Sequence, residues 1–302
     1  MVTVKQTRRS LLKQCPLAAG ITATAVSVSA ETASAQKAGT KPAFLAEIGV
    51  VLPIEEGALA QKHGYSFIEE TIGHFLIPDK PEEQFQANLA LLQKNRLPLP
   101  AVNMFLPAGM KSVGPSVEEE AIMKWADTTF RRMKQAGIQI IVFGSGGSRR
   151  IPDGFDKGKA RTQFIQLNRR LGPLAKKYGV TLVLEPLNYG ETNLLNTVEE
   201  GLAMAVEINH PSVKLLADIF HMLRNNETPD GILKAGNWLR HVHVAEKEKR
   251  TAPGVAGDNF RPYLQALRKI KYRGRIAIEA FKWGDKEKEL PVALQELRKQ
   301  IG

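Results

Sequence analysis

Thr181-Leu182-Val183-Leu184-Glu185-Pro186-Leu187-Asn188 runs from an apolar, strand-like segment straight into a carboxylate, and the chain repeats the pattern. Val213 to Ala217 leads into Asp218-Ile219-Phe220-His221, Leu239 to Val242 into His243, and Ile276 to Ile278 into Glu279. A helical segment separates each of these strands from the next, which marks repeated β/α units. In a barrel built of such units, functional side chains gather on the face made by the strands' carboxyl ends. Two carboxylates, a histidine and a third carboxylate, each from a different strand end, suit one divalent cation such as Mn²⁺, Co²⁺ or Mg²⁺. His241 and His243 are two apart on one strand, so both point into the barrel. His243, nearer the top, is the expected ligand, and His241 a hydrogen-bonded interior residue.

Working outward, four earlier strands are expected at Ile48–Leu52, Tyr65–Glu69, Leu99–Phe105 and Ile138–Phe143, with helices between them. The helix over 81–95 opens with proline and two glutamates, which suit the positive end of the helix dipole. Ser116 and Glu119 read as a capping box for a long helix ending near Gly137. Ile138 to Phe143 is a continuous apolar run, as a buried parallel strand should be. Gly144 to Gly147 reads as a flexible turn rather than a phosphate cradle, with Arg149 reaching the substrate rim. Eight strands alternating with helices imply a parallel sheet with right-handed crossovers. No glycine-rich dinucleotide turn follows the first strand, so the fold class is α/β, a single (β/α)₈ TIM barrel, over residues 47–302.

The amino terminus reads separately. Thr7-Arg8-Arg9-Ser10-Leu11-Leu12-Lys13 resembles a twin-arginine (Tat) export signal over residues 1–35, followed by an apolar run from Leu17 to Ala30 and an Ala33-Ser34-Ala35 cleavage site. Residues 36–46 read as a linker. The apolar run is too short to remain as a membrane span. Cys15, the only cysteine, lies inside this signal, so thiol chemistry is absent from the expected mature chain and no disulfide is needed. Removing four basic residues (Lys5, Arg8, Arg9, Lys13) and one acidic (Glu31) from the formal +11 leaves +8. The lysines are dispersed over helix-like segments, so solvated helix faces explain the charge better than nucleic-acid binding. Expected partners are a small sugar or keto-sugar and the Tat machinery. No nucleic acid and no stable membrane anchor are expected, and self-association into a homo-oligomer is left open.

At these motifs the chain resembles the sugar-phosphate isomerase/epimerase superfamily, the xylose isomerase-like barrels, and within it the ketose 3-epimerases and hydroxypyruvate isomerase-like members. The resemblance implies one divalent metal held by Glu185, Asp218, His243 and Glu279. It also implies that Glu185 and Glu279 act as the two proton-transferring acids, and that His221 and Glu191 contact substrate. The family's arginine six residues after the metal histidine is here Lys249, with Arg250 one further; both are expected at the substrate. Pro253-Gly-Val-Ala-Gly257 carries one residue more than the family's usual turn, and Tyr189 replaces an arginine. These departures surround the substrate rather than the metal.

The implied chemistry is isomerisation or epimerisation of a sugar through an enediolate. The rival outcome on the same site is elimination, a lyase or dehydratase acting on a keto-sugar or 3-keto-glycoside. A barrel that binds sugar without catalysis is the remaining alternative. A three-zinc DNA-repair endonuclease needs further histidines after strands two and three, and strand three ends in Asn103-Met104-Phe105.

Overall fold

The computed structural model describes residues 46–302; the expected export signal, its expected cleavage site and all but the end of the expected linker lie outside the described residues. Eight parallel strands close on themselves in sequential order. They are β1 (Glu47–Val51), β2 (Phe67–Thr71), β3 (Ala101–Asn103), β4 (Ile140–Phe143), β5 (Thr181–Leu184), β6 (Val213–Asp218), β7 (Leu239–Val244) and β8 (Arg275–Ile278). The barrel is sealed where β1 pairs with β8, Glu47 opposite Arg275 through Val50 opposite Ile278. The helices around it are α1 (Gly57–Lys62), α2 (Glu82–Lys94), α3 (Glu119–Ala136), α4 (Gly146–Arg149), α5 (Lys157–Tyr178), α6 (Val198–Ile208), α7 (Ile219–Arg224), α8 (Asp230–Ala235), α9 (Arg261–Lys269) and α10 (Lys286–Ile301). Among the described residues no helix is long and apolar enough to cross a membrane.

Alternation along each strand divides the apolar residues into two sets. Leu182, Leu184, Val242, Val244, Ile276 and Ile278 point outward into the layer shared with the helices. Ala101, Ile140, Val142, Val183 and Leu216 form a separate apolar cluster. Near the amino end of the barrel Phe67 lies where a Cβ on Gly49 would stand 2.3 Å from its ring. A side chain at Gly49 would therefore expel the phenylalanine. Toward the carboxyl end the inward positions turn polar, and the chemistry is built there.

Local chemistry sets the boundaries, and several differ from expectation; β2 and β4 each begin two residues late, at Phe67 and Ile140. β3 is shorter than Leu99–Phe105 because Pro98 and Pro100 have no N–H to give a ladder and Met104 leaves the strand at φ 59°. The Ser116/Glu119 capping box does not form: α3 starts at Glu119, and its first turn has no side-chain cap. The preceding segment is instead tied to α5, where Gln163 accepts from the N–H of Gly114 (2.8 Å) and donates to its carbonyl (3.2 Å). Other helices are capped as their sequences suggest, Asp156 accepting from Lys159 N–H at 2.7 Å and Thr197 from Glu200 N–H at 3.1 Å.

Candidate metal centre

Each expected ligand arrives on the strand that carries it. Glu185 follows β5, Asp218 closes β6, His243 lies in β7 and Glu279 follows β8. One donor atom from each falls within 4.8 Å of all the others. The four side chains are buried, with 5%, 1%, 0% and 5% of their residue surfaces exposed, respectively. His243 Nδ1 faces Glu185 Oε1 at 3.4 Å and Glu279 Oε2 at 3.1 Å. Glu185 Oε1 and His243 Nδ1 are buried and make no hydrogen bond. Two unpartnered atoms, within three carboxylates and an imidazole converging on one point, fit a divalent cation with oxygen and nitrogen ligands.

The electrostatics agree. Burial raises Asp218 to about 7, with Arg250 opposing and Glu279 and Glu185 adding to the rise. Glu185 is likewise raised, first by burial. Burial opposes the charged form of His243, yet Glu279 and Glu69 hold its pKa well above the ordinary range. The cluster is short of positive charge, which a bound cation would supply.

Asp218 does two jobs. Its Oδ1 accepts the N–H of Phe220 at 2.8 Å and so caps α7, while its Oδ2 faces the cluster. Gly144, at the end of β4, makes room for Glu185: a Cβ there would lie 1.6 Å from Glu185 Oε2. Glu279 is steadied by Asn103, whose Nδ2 donates to its Oε1 at 3.1 Å.

His221 lies beside the cluster. Its Nδ1 accepts the backbone N–H of Asn188 at 3.1 Å, which puts its proton on Nε2. Nε2 is buried, makes no hydrogen bond and lies 3.4 Å from Asp218 Oδ2. Burial, then Arg250 and Arg149, keep the ring's pKa well below its ordinary value, so it is a neutral donor. Glu191 accepts from Asn188 Nδ2 at 2.8 Å and is partly exposed at the cavity. The cavity over the cluster, about 140 Å³, is lined by Glu185, Glu279, His221, Glu191, Arg250 and Phe281 among others. A larger cavity of about 460 Å³ lies at the opposite end of the strands, beside Leu97 to Pro100 and Arg275, away from any cluster of ligands.

Of the expected substrate-contacting cations, only Arg250 reaches this cavity. Its Nη2 lies 3.2 Å from Asp218 Oδ2 and also contacts Glu279 Oε2. The guanidinium lies between the rings of Phe220 (4.5 Å) and Phe281 (4.0 Å). Lys249 is exposed and does not line the cavity. Both residues have positive φ, 57° and 52°, a strained pair for non-glycine residues. Buried Glu246 holds the loop in this shape by accepting the N–H groups of Gly254 (2.8 Å), Ala256 and Gly257 (2.9 Å) and the hydroxyl of Thr251 (3.0 Å).

Arg149 departs from expectation. It is fully buried and donates to the carbonyls of Phe143 (2.9 Å), Glu185 (2.5 Å) and Leu195 (3.4 Å). Burial lowers its pKa to about 10. It therefore anchors the backbone of Glu185 instead of reaching the substrate rim. The segment expected to be a flexible turn is partly the short helix α4, secured by that arginine. His241 is the hydrogen-bonded interior residue expected, on Glu69 at 2.7 Å. His74 bonds Glu70 at 3.0 Å, away from the cluster. Sequence reasoning missed Glu69 and Asn103. The inward alternation Phe67, Glu69, Thr71 along β2 was the signal available for Glu69.

The chain matches the family model described as xylose isomerase-like TIM barrel over residues 58–300. It is similar to L-ribulose 3-epimerase of Methylomonas sp., 36% identical over 122 residues. That match spans 40% of this chain and 42% of the relative's length. It is also similar to D-psicose 3-epimerase of Agrobacterium fabrum, 26% identical over 230 residues, 73% of this chain and 76% of the relative. Among solved structures, D-psicose 3-epimerase with D-tagatose from Clostridium cellulolyticum H10 aligns with TM-score 0.73 at 21% identity. That alignment covers 84% of this chain and 99% of that one.

Proposed function

Because the chain belongs to the xylose isomerase-like TIM barrel family, we propose that it epimerises or isomerises a keto-sugar by proton transfer, using one divalent metal ion. The observation that carries this reading is the convergence of Glu185 and Glu279 on one buried point with Asp218 and His243. Glu185 and Glu279 come from strands three apart around the barrel, so their carboxylates approach the cavity from different sides. Glu185, Asp218, His243 and Glu279 would hold Mn²⁺, Co²⁺ or Mg²⁺. Such a cation supplies Lewis-acid stabilisation of the charge that develops when a carbon beside a carbonyl loses its proton.

The side chains do the rest. One glutamate takes the proton from the carbon beside the carbonyl, giving an enediolate, and the other returns a proton to the opposite face. His221 donates from Nε2 to a substrate oxygen as it gains negative charge. Glu191, steadied by Asn188, accepts from a sugar hydroxyl. Arg250, between its two aromatic rings, offers a fixed cation at the same mouth. Ketoses of the kinds named for the relatives, L-ribulose and D-psicose, are the first substrates to try.

The test is solvent exchange. Metal-loaded protein in D₂O should place deuterium beside the ketose carbonyl, and chelator-stripped protein should lose this activity by at least about 10³-fold. Protein that takes up no metal would overturn the proposal, as would loaded protein that exchanges no ketose. Loss of a substituent from a 3-keto-glycoside, rather than inversion, would move the activity to elimination.

The motif from Thr7 to Lys13, followed by Ala33-Ser34-Ala35, supports export to the periplasm by the Tat machinery. Replacing Arg8 and Arg9 together by lysine should leave the chain in the cytoplasm. Periplasmic wild-type protein should begin at Gln36, and uncleaved, cytoplasmic wild-type protein would refute the assignment.

A further inference from the structure

Glu69 is a carboxylate that the proposed reaction does not use, and it is fully buried inside the barrel. It stands in the middle of β2. Its Oε1 lies 3.0 Å from Nε2 of His243 and its Oε2 lies 2.7 Å from Nε2 of His241. The strands β8 and β1 lie between β7 and β2, so both bonds cross the barrel rather than follow the sheet. An ionised carboxylate only accepts hydrogen bonds, so each Nε2 carries the proton. The other ring nitrogen of His243, Nδ1, faces Glu185 and Glu279, and it is the one left with a lone pair when a cation displaces its proton.

We propose that Glu69 is a positioning residue for the metal centre: it fixes the tautomer and ring orientation of His243 so that Nδ1 is the donor, and His241 is the second anchor that holds the carboxylate in place. The assignment rests on the metal centre proposed above. It gives a physical reason for two histidines on one strand, because one carboxylate oxygen serves each ring. Carboxylate–histidine–metal arrangements of this kind also make the imidazole a stronger donor. Phe67 lies beside His241, with ring centroids 6.5 Å apart, and all three bridge residues are fully buried.

The same three side chains bring donor atoms within 4.8 Å of one another, so a second ion is the competing explanation. Separations of 2.7 and 3.0 Å are those of direct hydrogen bonds. Ligands about 2.1 Å from a tetrahedral ion stand farther apart. A second ion would also require His243 to give up both ring protons.

The experiment uses the full mature chain with ¹⁵N-labelled histidine, metal-free and then loaded with Mg²⁺ or Zn²⁺, both diamagnetic. In the loaded state His243 should carry its only ring proton on Nε2, with Nδ1 shifted by the metal. In Glu69→Gln one of the two oxygens becomes an NH₂ group, which donates only, so one of the two rings loses its acceptor. Its metal affinity, read by competition with a chelator, should fall by about 10- to 100-fold, while the stoichiometry stays at one ion per chain. Turnover should recover in part at high metal concentration, which a general loss of structure would not allow.

A metal-loaded His243 protonated on Nδ1, undiminished affinity in Glu69→Gln, or two ions per chain would each overturn the assignment. If the variant does not fold, the wild-type tautomer and stoichiometry decide the matter alone. None of these readings needs a substrate. Correct tautomer and affinity with no ketose turned over would sink the proposed reaction and leave the role of Glu69 standing.

Discussion

Glu185→Gln and Glu279→Gln should each lower ketose interconversion by at least about 10³-fold while leaving a folded, metal-binding protein. Glutamine keeps the volume and one coordinating oxygen of glutamate, but cannot accept a proton at the pH of the assay. If the two carboxylates work on opposite faces of one carbon, the variants should fail differently. With Glu185 lost, Glu279 can still remove a proton from one epimer and return deuterium to the same face. With Glu279 lost, the other epimer should be the one that exchanges. Each variant would then label one epimer from D₂O without converting it, and the labelled epimers would differ. Measuring exchange and conversion together on both epimers checks this. Full conversion by either variant would remove that glutamate from the chemistry.

Gly144→Ala should be nearly as damaging, although glycine contributes no reacting group. An alanine Cβ would stand 1.6 Å from Glu185 Oε2 and 2.8 Å from its Cδ, so the carboxylate must move by more than an ångström. A displacement of that size costs about 10²-fold in turnover where reacting groups must be aligned, and metal affinity should fall as well because the same oxygen atoms serve both ends. The backbone at Gly144 is not in the left-handed region, so alanine itself is not strained there and the melting temperature should change little. Gly73→Ala is the control, since a Cβ at that position meets nothing within 4 Å. Wild-type turnover and metal affinity in Gly144→Ala would show that Glu185 does not need its present position.

The four side chains that converge were legible because each stands where an apolar run ends in a polar residue, a local feature. The closed barrel followed from counting alternating strands and helices. What was not legible depends on contacts across the molecule. Glu69 and Glu70 are adjacent on β2, and only the closed barrel shows that Glu69 turns inward to His241 and His243 while Glu70 accepts from Ile54 N–H at 2.9 Å and bonds His74. Arg149 and Arg250 look alike in sequence, each a basic residue beyond a strand end. One is consumed by backbone carbonyls and the other meets the carboxylates, and the difference comes from the loops that carry them. The Ser116 cap failed because Gln163, far along the chain, holds Gly114. Asp218 shows the reverse: one oxygen caps α7 through Phe220 N–H while the other faces the cluster, so a cap and a place in the cluster do not compete.

All four donors follow residue 180, whereas Glu69 and Asn103, which steady two of them, come from the opening half of the barrel. Donation and alignment are therefore inherited on separate stretches of the gene. A chimera joined between α5 and β5, taking its first four β/α units from another barrel, would keep every donor atom and exchange the contacts that aim them. Such recombinants offer a way to retune how firmly an ion is gripped without rewriting the ligand set.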